Sequence, residues 1–296
     1  MMKEYEYTAR LMGCVMAVSI IDTDHDHATE AYNRALSFGR TYEARFTRFD
    51  ATSELSYLNT AKHAIVSKEY LEILLLAQML HTETNGVFNA LLQISALGYT
   101  SDFNSQADKD TPSVGRAIPY DTNFSHVLIE EKGPTVTLTP TQRLDFGGFL
   151  KGHVAQMMAQ EIGDVMGVVV NIGGDIYTRG TDVEGAPFTF SIFNPVTDEY
   201  PLALPVTDSA IATSGTYRRH WGNGEKLTHH ILDIHGTANP RSDVVSATVI
   251  HPEGARADAY ATVAIVLGSV DAVIFLEKHA ERFVLITQDG SHITNT

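Results

Sequence analysis

The chain has 296 residues, 44% hydrophobic and 19% charged, with a formal net charge of −15 and one cysteine, Cys14. That length buries a substantial core without crosslinks, and a single cysteine forms no intramolecular disulfide. The acidic balance argues against a nucleic-acid surface, which needs a basic stripe, and against docking on an anionic membrane; it leaves room for a local pocket that takes a small anion.

"LMGC" (11–14) has the letters of a lipid-attachment site. A secretory leader needs a positive start and then an apolar run of roughly 7–15 residues. "MMKEYEYTAR" carries two glutamates and no such run, so a cytoplasmic location is expected unless a leader has been removed. "EYEYTARLMGCVMAVSI" alternates polar and apolar and then turns apolar, as a strand entering a core does, with Cys14 expected as a small buried residue. From Ala28 to Phe46 the apolar residues Ala31, Ala35, Phe38, Tyr42 and Phe46 keep helical spacing. A second helix opens on Ser67 as a cap, has Glu69 in its first turn and closes near Gly86. No window approaches about 18–20 uncharged apolar residues, so no membrane-spanning helix is expected.

Thr100 to Asn123 is long, polar and punctuated by Pro and Gly. Such a loop suits a lid or a disordered segment. "HVLIEEKGPTVTLTP" reads as a hairpin turning on Lys132–Gly133, and "GVVVNIGGDIYTRG" as two strands meeting at a Gly-Gly corner. "FVLITQDGSHITNT" closes the chain as a hairpin on Asp289–Gly290. There is no repeat and no regular strand–helix alternation, which favours α+β over a doubly wound parallel sheet.

Four constellations bear on chemistry. In "RLDFGGFLKGHVAQMMAQ" a strand is expected to end at Asp145, two glycines follow, and a helix starts with Lys151 in or near its first turn. Free helix N–H groups and a lysine suit a phosphate, although the spacing matches neither a Walker loop nor G-x-G-x-x-G and fits a plain Gly-rich turn as well. In "GARADAYATVAIVLG", Asp258 and Thr262 share one helical face. They form a hard-oxygen pair suited to Mg²⁺, or a helix-start carboxylate with a threonine bonded to backbone. "LTHHILDIHG", taken as a strand, puts His229, Ile231, Asp233 and His235 on one face and His230 on the other. That pattern fits a polar edge strand better than a zinc site. In "IATSGTYRRHW", Ser214 lacks a G-x-S-x-G elbow, and a tight turn between strands is expected there.

The order of these segments resembles the ApbE family, flavin transferases that use FAD to attach FMN to a protein threonine. The resemblance runs from about Glu4 to the C-terminus. It includes "LMGCVMAVSI", "FTRFDATSELSYLN", "VFNALLQISALGY", "LDFGGFLKGHVA", "VVNIGGDI", "IATSGTYRR", "HHILD" and "ADAYATVAIVLG". It implies one ApbE-like domain over 1–296, an α+β fold with antiparallel-rich sheets packed with helices, and FAD in a cleft between lobes with Mg²⁺ on its pyrophosphate. Residue by residue, it implies that Met12 packs on the flavin and that Phe49 is an aromatic of the flavin-contacting segment. Asn89 and Ala90 would line the nucleotide, Asp145 and Lys151 would bind it, and Leu232 would make a backbone contact to FAD. Gly148 would give a carbonyl to the metal, and Asp258 and Thr262 the side-chain oxygens. "LMGC" then belongs to a flavin-side strand and not to an anchor.

The implied partner is an acceptor protein with a target threonine, a flavoprotein of an electron-transfer system. Water in place of threonine would hydrolyse FAD to FMN and AMP. His230 and Asp258 are both candidates for the general base. The chain departs from the family at Ile234, where proline is common; in "FNALLQISALGY", which lacks the usual threonine and Gly-Pro; and at His153, where an aromatic is frequent. The family's acceptor pattern, roughly Asp-x-x-(Ser/Thr)-Gly-(Ala/Ser)-Thr, does not occur, so self-flavinylation there is not expected. Two alternatives stand beside the transferase: a non-catalytic FAD-binding protein, and a zinc hydrolase built on "HHILDIH".

Overall fold

The N-terminal segment pairs back on itself: β1 (Lys3–Leu11) runs antiparallel to β2 (Cys14–Asp22) in the computed structural model, which describes residues 1–94, 120–218, 220–221 and 228–295. One strand was expected here and two are found. The turn is Met12–Gly13, both left-handed at φ 52° and 71°. Two-residue hairpin turns need positive φ at both central positions, and a methionine at the first hides the signal. Cys14, expected buried, is half-buried at the start of β2.

The contacts of the chain gather into two compact units. The first comprises residues 1–43, 149–215 and 242–296. It holds an eight-stranded sheet in the order β1-β2-β6-β7-β10-β13-β14-β15. The further strands are β6 (Gly167–Ile172), β7 (Asp175–Gly180), β10 (Ala210–Gly215), β13 (Val244–His251), β14 (Arg282–Thr287) and β15 (His292–Thr294). Every neighbouring pair is antiparallel, which bears out the α+β reading. The Gly-Gly corner joins β6 to β7 through Gly173 and Gly174 at φ 68° and 108°, and the Asp289–Gly290 hairpin closes the sheet as expected. Ser214 lies inside β10 opposite Ala247, not in a turn, because the ladder with β13 continues through Gly215.

Helices α4 (Leu150–Ile162) and α5 (Gly254–Leu267) pack on this sheet and on each other, and α6 (Ser269–His279) packs on α5. α5 is alanine-rich because it is buried nearly all round; Ala257, Ala259, Ala261 and Ala264 are fully enclosed. A second apolar cluster joins Ile211, Ile250, Val284 and Ile286 to Ile192, Leu204 and Val206 of the hairpin β8 (Phe188–Asn194) and β9 (Glu199–Val206). Each such side chain, once buried, stabilises the fold by about 1.5–3 kcal/mol before entropy is counted. α1 (His25–Phe46) has the expected apolar stripe and runs across the division at residue 43.

The second unit comprises residues 44–148 and 216–241. It contains α2 (Glu54–Ala61), α3 (Lys68–Glu83) and a three-stranded antiparallel sheet β3-β5-β4 (His63–Ile65, Thr135–Thr137, Leu128–Glu130). Ser67 caps α3 by accepting from Tyr70 N, and Asn85 and Gly86 end it at φ 50° and 82°. Rings of Phe46, Tyr70 and Phe146 interlock at centroid distances of 5.6–5.8 Å. A short pair, β11 (His220–Trp221) and β12 (Thr228–His229), completes it. The loop expected to act as a lid falls for the most part on 95–119, outside the described residues. Among the described residues, no helix is long and apolar enough to cross a membrane.

Candidate active site

In the first unit, α4 and α5 cross at Gly152 and Gly254. A Cβ at Gly152 would stand 2.8 Å from the Gly254 carbonyl carbon and 2.9 Å from Asp258 Cβ. This backbone-to-backbone approach sets the start of α4 against the first turns of α5. The Gly152 N–H donates to Asp258 Oδ2 at 3.1 Å, and Lys151 Nζ lies 3.8 Å from the same oxygen. The Lys151 ammonium is bonded more closely to Asp175 Oδ2. Asp258 and Asp175 are 4% and 3% exposed. Two buried carboxylates thus share one ammonium. Among the described residues no hydrogen bond falls on Asp258 Oδ1. One turn along α5, Thr262 Oγ1 shares a 2.8 Å hydrogen bond with Ser214 Oγ. For Ser214 this replaces the expected turn, and Thr262 bonds a side-chain hydroxyl where a backbone carbonyl was the alternative to Mg²⁺. A spare carboxylate oxygen, a hydroxyl one turn away and an excess buried negative charge form a donor set that fits a hard divalent cation.

Met12, also in this unit, occupies the β1–β2 turn, and its N–H donates to Glu43 Oε1 at 2.6 Å. The structure therefore brings Lys151, Asp258 and Thr262 together, while Met12 sits at a hairpin tip. His153, on α4, faces the Tyr42 ring at 6.1 Å.

The second unit carries the other expected residues. The strand expected to end at Asp145 is not found: residues 138–145 are not strand. Buried Asn59 takes the place of a neighbouring strand: its Nδ2 donates to Leu144 O at 2.8 Å and its Oδ1 accepts from Leu144 N at 2.7 Å. Asp145 N then donates to Ala90 O at 2.8 Å, joining two expected nucleotide positions. The Asp145 carboxylate accepts from Gly147 N at 2.9 Å and pairs with Arg48, whose guanidinium stands 4.8 Å from the centre of the half-exposed Phe49 ring. Arg48 was not expected at the site. Asn89 is committed to its own fold, donating to Thr122 O at 2.8 Å and accepting from Leu91 N at 3.0 Å. Gly148 lies against Phe88; an added Cβ would come within 3.1 Å of that ring.

The histidine segment departs from its expected form. Only Thr228–His229 is strand, and Ile231 and Leu232 are both buried, so no alternating face runs from His229 to His235. Asn239 overrides the alternation: its Oδ1 accepts from His229 N at 3.0 Å, and its Nδ2 donates to His229 O at 2.6 Å and Ile231 O at 2.7 Å. This clamp grips the backbone on both sides of half-buried His230. Among the described residues, no hydrogen bond engages the main-chain groups of Leu232. Burial lowers the His229 pKa to about 4. His235 is exposed on the following turn, and no group of three or more His, Cys, Asp or Glu gathers as a metal site among the described residues. The zinc-hydrolase alternative has no footing in this geometry.

Comparison with known proteins bears on the family and the fold. The chain is 26% identical over 272 residues to a FAD:protein FMN transferase of Klebsiella pneumoniae (strain 342), covering 89% of this chain and 83% of that one. It is 22% identical over 295 residues to one of Salmonella typhimurium, covering 95% and 83%. Among solved structures, the ApbE protein of Thermotoga maritima matches with a TM-score of 0.83 at 22% identity, over 98% of this chain and 96% of that one. The apo flavinyl transferase ApbE of Pseudomonas stutzeri matches with 0.82 at 17% identity, over 99% and 94%. These likenesses show the fold. The ApbE family model matches residues 12–286, nearly the whole chain, and the protein belongs to that family.

Proposed function

We propose that this chain is a Mg²⁺-dependent FAD:protein FMN transferase that moves FMN from FAD onto a threonine hydroxyl of an acceptor protein and releases AMP. The observation that carries the reading is the buried Asp258–Lys151–Asp175 cluster, with its spare Asp258 oxygen and net negative charge, in a member of this family. Asp258 and Thr262 would hold the cation; bound there, it would neutralise charge on the pyrophosphate oxygens. Lys151 adds a positive charge at the start of α4, where Phe149 supplies no side-chain cap and the Gly152 N–H is taken by Asp258.

The acceptor oxygen bonds to the FMN-side phosphorus as the bridging P–O bond breaks, and that electron pair leaves on AMP. The hydroxyl proton needs an acceptor. His230 and Asp258 are the two candidates for that base. Positioning and charge neutralisation carry the rest, as in other phosphoryl transfers.

The test is AMP release from FAD by wild type and Asp258→Ala, in Mg²⁺ or EDTA, with a threonine-bearing acceptor peptide supplied. Mg²⁺-dependent AMP with flavin on the peptide, both lost in the variant, is the expected result. Yellow, FAD-loaded protein that makes no AMP with Mg²⁺ and peptide present would replace the transferase by a flavin binder.

A further inference from the structure

Asp175 is the carboxylate bonded to Lys151, yet the resemblance gave it no role. It opens β7 directly after the Gly173–Gly174 corner and pairs with Ile172 across that corner. The corner cannot relax freely. Gly173 is left-handed, and a Cβ there would lie 2.7 Å from Cys14 Sγ, so β2 fixes the turn from one side. Asp175 is thereby held by rigid sheet, and its carboxylate is 3% exposed. A charge this deep persists only with a partner, and the partner is the Lys151 ammonium.

The ammonium stands between two carboxylates and serves them unequally. It is bonded to Asp175 and is 3.8 Å from Asp258 Oδ2. A lysine paired fully with Asp258 would occupy, with its own positive charge, the ground a cation needs. From this geometry we infer that Asp175 is a positioning residue that draws the Lys151 ammonium off Asp258 and so keeps the Asp258 carboxylate open to a divalent cation. The inference rests on the reading of Asp258 as a cation-holding residue. Without Asp175, Asp258 is the remaining carboxylate within 4 Å of the ammonium among the described residues, and the lysine closes on it. An incoming cation then has to displace a bonded like charge, and at such separations in a half-shielded site the penalty amounts to at least about tenfold in affinity.

The experiment titrates the protein with Mn²⁺, counting the free ion by its electron paramagnetic resonance signal, with and without FAD. Asp175→Asn is expected to weaken Mn²⁺ binding at least about tenfold. The double variant Lys151→Met/Asp175→Asn is expected to restore it, since no ammonium is left to compete. If Asp175 were itself a ligand, or served only to hold the fold, the double variant would bind as weakly as Asp175→Asn, and the inference would fall. Unchanged binding in Asp175→Asn would overturn it as well. Should that variant not fold, the double variant measured against wild type decides: comparable binding supports the inference, and binding at least about tenfold weaker refutes it. Wild type and Asp258→Ala binding Mn²⁺ equally would instead remove the underlying reading of Asp258, an outcome distinct from the others.

Discussion

Replacing Gly152 by alanine adds one methyl group at the crossing of α4 and α5, and its consequences can be worked from the geometry. The new Cβ would lie 2.8 Å from the Gly254 carbonyl carbon, whereas non-bonded carbons settle near 3.5–4.0 Å, so the helices must part by about 1 Å. Overpacking of this kind costs about 1–3 kcal/mol. The same movement stretches the 3.1 Å bond from Gly152 N to the Asp258 carboxylate beyond hydrogen-bonding range, a further loss of about 1.5–3 kcal/mol. Alanine returns at most about 1 kcal/mol through helix propensity, so the clash wins. The net expectation is a loss of about 1.5–6 kcal/mol in urea unfolding, together with a fall in Mg²⁺-dependent AMP release because Lys151 and Asp258 shift apart. A variant as stable as wild type, with full activity, would show that the crossing is slack and that the glycine pair does not set the site.

Three further outcomes are expected. Asn59→Ala strips both main-chain partners from buried Leu144 and should cost about 2–4 kcal/mol in urea unfolding; a loss below about 0.5 kcal/mol would mean that the Leu144–Asp145 segment is held by other contacts. Tyr70→Phe removes a buried hydroxyl that has no hydrogen-bond partner among the described residues, so stability should stay level or rise by up to about 1 kcal/mol, and a clear loss in the same assay would reveal an ordered partner. His229 is held neutral, with its pKa near 4 against 6.5 when unfolded, so the unfolded chain binds the proton more readily. The contribution of His229 is complete above pH 6.5 and drains away as pH falls from 6.5 towards 4. Urea midpoints of wild type should therefore drop more steeply over that window than those of His229→Gln; parallel curves would refute the assignment.

Much of the fold was legible because its signals are local. The Ser67 cap, the Gly-Gly corner, the Asp289–Gly290 turn and the apolar stripe of α1 each state their geometry within a few residues. What escaped was settled by partners far along the chain. Leu144 and Phe146 alternate with Asp145 as a strand would, yet the backbone there is satisfied by the side chain of Asn59 and by Ala90 O. The histidine segment also alternates, but Asn239 folds it into a clamp that buries Ile231 and Leu232 together. Met12 concealed a turn because methionine seldom takes positive φ. At the site, the i, i+4 spacing put Asp258 and Thr262 on one face of α5, and the resemblance supplied the role expected of them. Asp175 did leave a signal, an acid directly after a glycine corner at the head of a strand, where burial demands a counter-charge. Arg48 left none, since its pairing with Asp145 spans most of the second unit.

The order of strands in the large sheet also dictates a timetable for synthesis. The β1–β2 hairpin is made before its other neighbour, β6, and residues 44–148 are made in between. Until β6 arrives, Met16, Val18 and Ile20 have no finished core to enter. The opposite edge waits longer still, because β14 and β15 follow every other strand of the sheet in chain order. A sheet stitched from both ends of a chain closes large loops before its long-range contacts compensate, so it forms slowly and exposes unpaired strand in the meantime. Slow synthesis at low temperature and chaperone supply are thus demands written into the topology of this protein, independent of how stable it is once complete.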